Sequence, residues 1–225
     1  TETNSGTKSY AVLRFAPSLV NGSIYTIAFN GTDVAGNSAT EVSVTGVTYD
    51  TTAPGFSSIR PYSFSKVNTS AVGYTLSEAL ASGTVTYRRT GGTTDGTHTV
   101  NLAGTELNSG TRASAVLTNA PTLVDGSIYT IAFNGTDAAG NSVTELSVMG
   151  VTYDKTPPAF SSLSPSTGST VNTSAVGYTL SELIASGTVT YTRTGGTADG
   201  NVHTVDLAGF ERFPGTRSYA VLTNA

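Results

Sequence analysis

Oxygen donors are the main chemistry this sequence offers. Asp50 stands before a Pro-marked linker, Glu78 follows an apolar alternation, and Asp137 and Asn141 bracket the turn Asp137-Ala-Ala-Gly-Asn141. Carboxylates and an amide drawn from separate segments suit a hard cation. Ca²⁺ takes six to eight oxygens, with backbone carbonyls and water completing the shell. Gathered without a cation, the same acids repel one another. A plainer reading stays open. Asp and Asn cap backbone N–H groups in turns, so Asp137 can simply hold its own loop and Glu78 can be a solvated loop residue.

Other chemistries find little support. The 225 residues contain no Cys, which excludes thiolate catalysis and Cys-ligated zinc. His98 and His203 occupy one recurring position beside Thr and Val, with no second ligand visible in the sequence. A position that recurs fits a cross-strand surface residue, whereas an enzyme assembles one asymmetric pocket. No G-x-S-x-G, P-loop or dinucleotide fingerprint occurs. The expectation is a protein without catalytic residues. Net charge is −4 and pI about 5.0, so a phosphate backbone would find no basic surface. The pair Arg88-Arg89 becomes Thr192-Arg193 in a second copy and reads as a solvated strand face. Sequons occur at Asn21, Asn30, Asn68, Asn134 and Asn172; chance explains most of them in a chain this rich in Ser and Thr, and glycosylation stays open.

The elements that must position these residues recur. GSIYTIAFNGTD starts at Gly22 and again at Gly126, and VNTSAVGYTLSE starts at Val67 and again at Val171. Both spacings are 104 residues, the size of one autonomous sandwich domain and too long for a solenoid. One residue is inserted late, where Asp95-Gly-Thr-His98 becomes Asp199-Gly-Asn-Val-His203. The phase divides the chain into residues 1–52, the end of one repeat, 53–156, a complete repeat, and 157–225, the start of a third. The segment 1–16 is present again around 210–225, and neither outer piece can close a sandwich alone. The chain opens inside a strand pattern, as a piece of something longer would.

Charged residues make up only 12% of the chain, and Thr, Ser, Asn and Gly dominate, which favours strands and tight turns over helix. In the middle repeat, strands are predicted at 56–61, around Val72, Tyr74 and Leu76, around Val85 and Tyr87, at 97–102, at 113–117, around Tyr129, Ile131 and Phe133, and over 146–153. Gly150 is predicted to make a bulge in the last. Seven short strands with turn signals about every ten residues predict an all-β fold of tandem immunoglobulin-like Greek-key sandwiches. The segment Leu123–Tyr129 is similar to a tyrosine corner, in which a buried ring returns its hydroxyl to upstream backbone. Tyr25 repeats it, with Asn21 for Asp125. The Cys and Trp of antibody domains are missing, and Phe133 is expected to fill the space near the absent strand-F cysteine.

The motif Asp137-Ala-Ala-Gly-Asn141 followed by Tyr153-Asp-Lys-Thr-Pro-Pro158 resembles the bacterial immunoglobulin-like repeats of very large surface proteins and adhesins. Asp33–Asn37 and Tyr49–Pro54 carry the same pattern. The resemblance implies an extended, secreted, multidomain rod, in which some members bind Ca²⁺ between domains. In such a sandwich the B–C loop, the F–G loop and the start of strand A share one pole, where Asp50, Glu78, Asp137 and Asn141 would meet.

The leading expectation is thus an extracellular or cell-surface stalk or filament, with calcium as the one cofactor in question. The alternatives are an adhesive module for carbohydrate or protein, and an accessory domain of a secreted polysaccharide-degrading enzyme. Partners are neighbouring repeats or copies of the chain itself, joined head to tail if the tail piece completes the head piece of the next subunit. No stretch approaches the roughly 18 apolar residues of a membrane span.

Overall fold

The computed structural model describes residues 5–9 and 12–225. It is nearly all β, with 42% strand and 4% helix in short 3-10 turns. Two compact units divide it, Thr1–Lys155 and Thr156–Ala225.

The first unit opens with a lone hairpin, β1 (Ile24–Phe29) and β2 (Val42–Thr48). Eight strands follow: β3 (Phe56–Arg60), β4 (Lys66–Val67), β5 (Val72–Leu76), β6 (Ser82–Gly92), β7 (His98–Asn101), β8 (Gly110–Ala115), β9 (Ser127–Thr136) and β10 (Leu146–Tyr153). They form two sheets, ordered β3-β5-β8 and β4-β10-β9-β6-β7. All pairings are antiparallel except β4 with β10, which runs parallel.

The two sheets share one core in a sandwich-like arrangement. Val72, Tyr74 and Leu76 face inward from β5, and Tyr129, Ile131 and Phe133 from β9, as period-two alternation requires. The Phe133 ring meets Phe56 at 5.5 Å and Tyr74 at 6.0 Å, so aromatic rings bridge the layers with no disulfide. Buried hydroxyls find backbone partners. Tyr74 donates to the Glu106 carbonyl at 2.8 Å and Tyr87 to that of Ser70 at 2.6 Å. Burial, with the Glu106 charge adding to it, pushes the Tyr74 phenol up to about 12.

Register faults fall where the sequence marks them. The β9–β10 ladder shifts between Val148 and Val151, around Gly150 at φ +69°. A Cβ there would also lie 2.5 Å from the Phe64 ring, so both conformation and space demand glycine. Three features differ from expectation. The strand predicted at 113–117 forms instead at Gly110–Ala115, because Leu117 turns into the core from a loop closed by Ala120 N–H to Leu117 O at 3.0 Å. The two-residue β4 is too short to show any periodicity. The 3-10 helix Gly104–Leu107 is fastened by Glu106, whose carboxylate accepts from the N–H groups of Ala103 and Thr118 at 2.8 and 2.7 Å.

The second unit repeats the first part of this pattern. Its strands are β11 (Phe160–Ser164), β12 (Val176–Leu180), β13 (Thr188–Tyr191), β14 (His203–Asp206) and β15 (Gly215–Ala220). They form the sheets β11-β12-β15 and β13-β14 around a smaller core of Tyr178, Leu180, Ile184, Val205, Leu207 and Leu222. Glu211 fastens its 3-10 helix as Glu106 does, through Ala208 and Thr223. The string Gly6–Ala11, the sequence match of β15, is described only at 6–9, where no strand forms. Residues 1–4, 10 and 11 of the expected duplicated segment lie outside the described residues.

Candidate functional site

Three strand ends bring the acids together. Asp50 follows β2, Glu78 follows β5 and Asp137 follows β9. One carboxylate oxygen from each lies within 4.8 Å of the other two, and among the described residues no other such trio of potential ligands is gathered. Asp137 is buried, and Asp50 and Glu78 are half-buried.

Two of the acids have local duties. Asp137 is committed to its own loop. Its Oδ1 accepts from the N–H groups of Ala139 and Asn141 at 2.8 and 2.9 Å, and its Oδ2 from Asn141 Nδ2 at 2.9 Å. Burial works against the Asp137 carboxylate, but these bonds outweigh it and hold its pKa below the ordinary value. Asp33 shows the same loop without the acid neighbours, with matching bonds to Ala35 and Asn37 at 2.8–2.9 Å. Turn formation therefore accounts for the D-x-A-G-N motif wherever it occurs. Asp50 accepts from Thr52 N–H at 2.9 Å. Asn141 acts as a brace. Besides its bond to Asp137, its Nδ2 donates to the Asp50 carbonyl at 3.2 Å, joining loop to linker across 91 positions of sequence.

Glu78 is the acid without such a duty, since it makes no hydrogen bond among the described residues. Burial, then the charges of Asp50 and Asp137, raise its carboxyl above 4.5. The donor set fits a hard cation. Three carboxylates converge, one is strained by like charge, and each has lone pairs beyond those its loop uses.

A second constellation was not legible as one. His98 Nε2 lies 2.9 Å from Asp95 Oδ2, and the Tyr129 hydroxyl donates to that same oxygen. Chiefly through Tyr129, and against the cost of burial, Asp95 is held at about 2. Tyr129 also accepts from Val124 N–H at 3.3 Å, and Tyr25 accepts from Val20 N–H at 2.9 Å. His98, expected as a cross-strand surface residue, also holds the carboxylate of the preceding turn. Its signal was the Asp-to-His pairing kept in both copies despite the insertion, with His203 also 2.9 Å from Asp199. The site ties a turn to a buried strand.

The arginine pair has structural uses. Arg88 reaches both Glu145 oxygens at 3.2–3.3 Å, and Arg89 donates to the carbonyls of Gly92 and Thr93. Arg193 repeats the latter with Gly196 and Thr197. No family model, no curated protein and no solved structure matches this chain.

Proposed function

We propose that the chain is a run of immunoglobulin-like Greek-key modules with a period of 104 residues, similar to the bacterial immunoglobulin-like repeats of surface proteins. It serves as a structural extracellular stalk or filament without catalytic activity. The strand order supports the fold reading. One sheet is β3-β5-β8, the other places β9 between β10 and β6, and β4 runs parallel beside β10. In immunoglobulin terms these are strands A, B and E against A′, G, F, C and C′. The bond from Val124 N–H to Tyr129 Oη at the start of β9 supports it further.

The observation that carries the function is the brace between Asn141 and the Asp50 carbonyl. It fixes the residue leaving β2 to the loop between β9 and β10, so one module's last strand hands on to the next at a stiffened joint. Each module then adds roughly 40 Å, from about ten residues at 3.3 Å plus a linker. Asp50, Glu78 and Asp137 would hold Ca²⁺ at this joint, where the ion would cancel their mutual repulsion and link three segments.

Small-angle X-ray scattering with Ca²⁺ and then with chelator tests this. A maximum dimension that falls, or a distribution that broadens, on chelation supports a calcium-stiffened rod. An unchanged rod removes the metal and leaves joints stiffened by packing. A compact particle in both conditions overturns the stalk. Calorimetric titration with Ca²⁺ of the native chain and of Glu78→Gln gives the site its own readout, since Glu78 binds no loop backbone and its loss should remove only the ion.

A further inference from the structure

We propose that the turn between β3 and β4, with Met149 beside it, is a docking surface for another protein. The segment it receives carries a large apolar side chain next to a carboxylate. This goes beyond the stalk reading and does not depend on it.

The surface lies where two copies of the sequence part. Residues 56–58 and 160–162 share Phe-Ser-Ser, and the string 67–78 recurs unchanged at 171–182. Between these constant stretches, six of the eight positions 59–66 differ from their counterparts at 163–170. Arg60, Tyr62, Phe64 and Lys66 stand where the later copy has Ser164, Ser166, Gly168 and Thr170. Met149, the one Met of the chain, stands where the earlier copy has Thr45. Two rings, a thioether and two cations thus gather in one copy, at positions that small residues fill elsewhere.

The fold does not require them. Tyr62, Phe64 and Met149 are 61%, 77% and 53% exposed. The turn is fastened to β10 without them. Phe64 N–H donates to the Met149 carbonyl at 2.9 Å, and Met149 N–H donates to Ser63 Oγ at 3.2 Å. The Phe64 ring rests against Gly150, which has no side chain to cover it. Phe64 also adopts φ +62°, in the left-handed region, where Gly168 has φ +78°. That conformation suits glycine, and an exposed ring there strains the backbone with little burial in return. Strain kept at an exposed ring points to a use outside the fold.

Chemistry selects the partner. The Arg60 guanidinium lies 3.8 Å from the Tyr62 ring centre and donates to the Ile59 carbonyl at 3.0 Å. Among the described residues it pairs with no carboxylate, which leaves its other N–H groups for an acid on the partner. Tyr, Phe, Met and Arg are the residue types that protein interfaces concentrate, and Tyr and Arg lead among those that carry the binding energy. A glycan would need hydroxyl readers. The hydroxyls here are occupied, Ser63 by Met149 N–H and Ser65 by the Tyr62 carbonyl. A second copy meeting this patch with its own would set Arg60 against Arg60. A lipid surface would gain only two rings and a thioether, and anionic headgroups would repel a chain of net charge −4.

A displayed library of random peptides, selected on the 225-residue chain and counter-selected on Phe64→Gly, is the test. Enriched peptides should share an acid close to a large apolar residue. One such peptide, synthesised and titrated by NMR, should shift the amides of 60–64 and 149. Its affinity should fall about tenfold or more in Tyr62→Ser and in Phe64→Gly. Arg60→Ser should cost several-fold, and that loss should shrink at high salt. Each variant takes the residue of the later copy, and Phe64→Gly should melt as the native chain does, because relief of strain offsets the lost contact with Gly150. A melting point well below native would assign Phe64 to packing and overturn the proposal. So would a selection that yields no peptide able to tell the native chain from Phe64→Gly, or shifts that fall elsewhere. Binding to polygalacturonate or to phosphatidylglycerol vesicles that Phe64→Gly abolishes would transfer the surface to a glycan or a lipid and overturn it too. None of these readouts reports chain extension, so the stalk reading stands or fails separately.

Discussion

The hairpins β1–β2 and β9–β10 begin with the same twelve residues and form the same tyrosine corner and the same Asp-centred turn. They share a bulge as well, since the β1–β2 ladder also shifts register. Yet one hairpin is the centre of a core and the other bares its apolar face. Everything within reach of ten residues is alike, and everything that depends on a remote sheet differs. A hairpin of this kind is thus a prefabricated part whose contribution to stability depends on the sheet it docks against.

The sharpest way to break that comparison is one substitution made twice. Phe133→Ala should destabilise the first unit by about 3–5 kcal/mol, because the lost ring leaves a cavity against Phe56 and Tyr74. Phe29→Ala, measured at dilution by urea unfolding, should shift stability by no more than about 0.5 kcal/mol. Equal effects would mean that the first hairpin is packed after all.

Tyr129→Phe comes next, at about 1.5–3 kcal/mol, since it removes a hydrogen bond to a charged partner. The Asp95 carboxyl, held at about 2, should move toward its ordinary 3.8 in an NMR titration. The sign is that of a depressed acid. Its contribution is complete above 3.8 and is lost as pH falls through about 2, so the variant should lose less than the native chain on that descent. Asp199, lowered mainly by His203, gives the comparison without a tyrosine.

Arg88→Gln should cost less than about 1 kcal/mol and nothing at high salt, because both partners of its ion pair are substantially exposed. The smallest effect belongs to Glu78→Gln. Glu78 titrates above its ordinary 4.5, so its folded form holds a proton that the unfolded chain releases. Stability without Ca²⁺ should fall as pH rises through that window, and the variant should abolish the fall. A native chain whose stability does not fall there would show that the three acids do not feel one another.

Much of the fold was legible because its signals are short-range. Val72, Tyr74 and Leu76 alternate by twos, Gly150 marks a bulge, and Leu123–Tyr129 outlines a corner. Those signals place six of the seven expected strands closely. The misplaced fifth fails because Leu117 is apolar and buried without being in a strand. The acids were legible from the loops that carry them, and Asp50, Glu78 and Asp137 do meet. The duties dividing them were not legible, since whether an Asp caps its loop or faces a neighbour depends on angles that residue type does not encode. The role of Asp95 was not legible because its tyrosine lies 34 positions away.

By itself, then, the sequence determined which segments extend, where they turn, and which side of each strand is apolar. These follow from side-chain alternation and turn chemistry within about ten residues. Only the tertiary structure decided which apolar faces are covered. Phe29 and Phe133 sit in identical strings, each paired within its own hairpin, and differ because β6 also reaches Phe133, whereas among the described residues only β2 pairs with the strand of Phe29. Burial belongs to a pair of surfaces, and a local string specifies one of them.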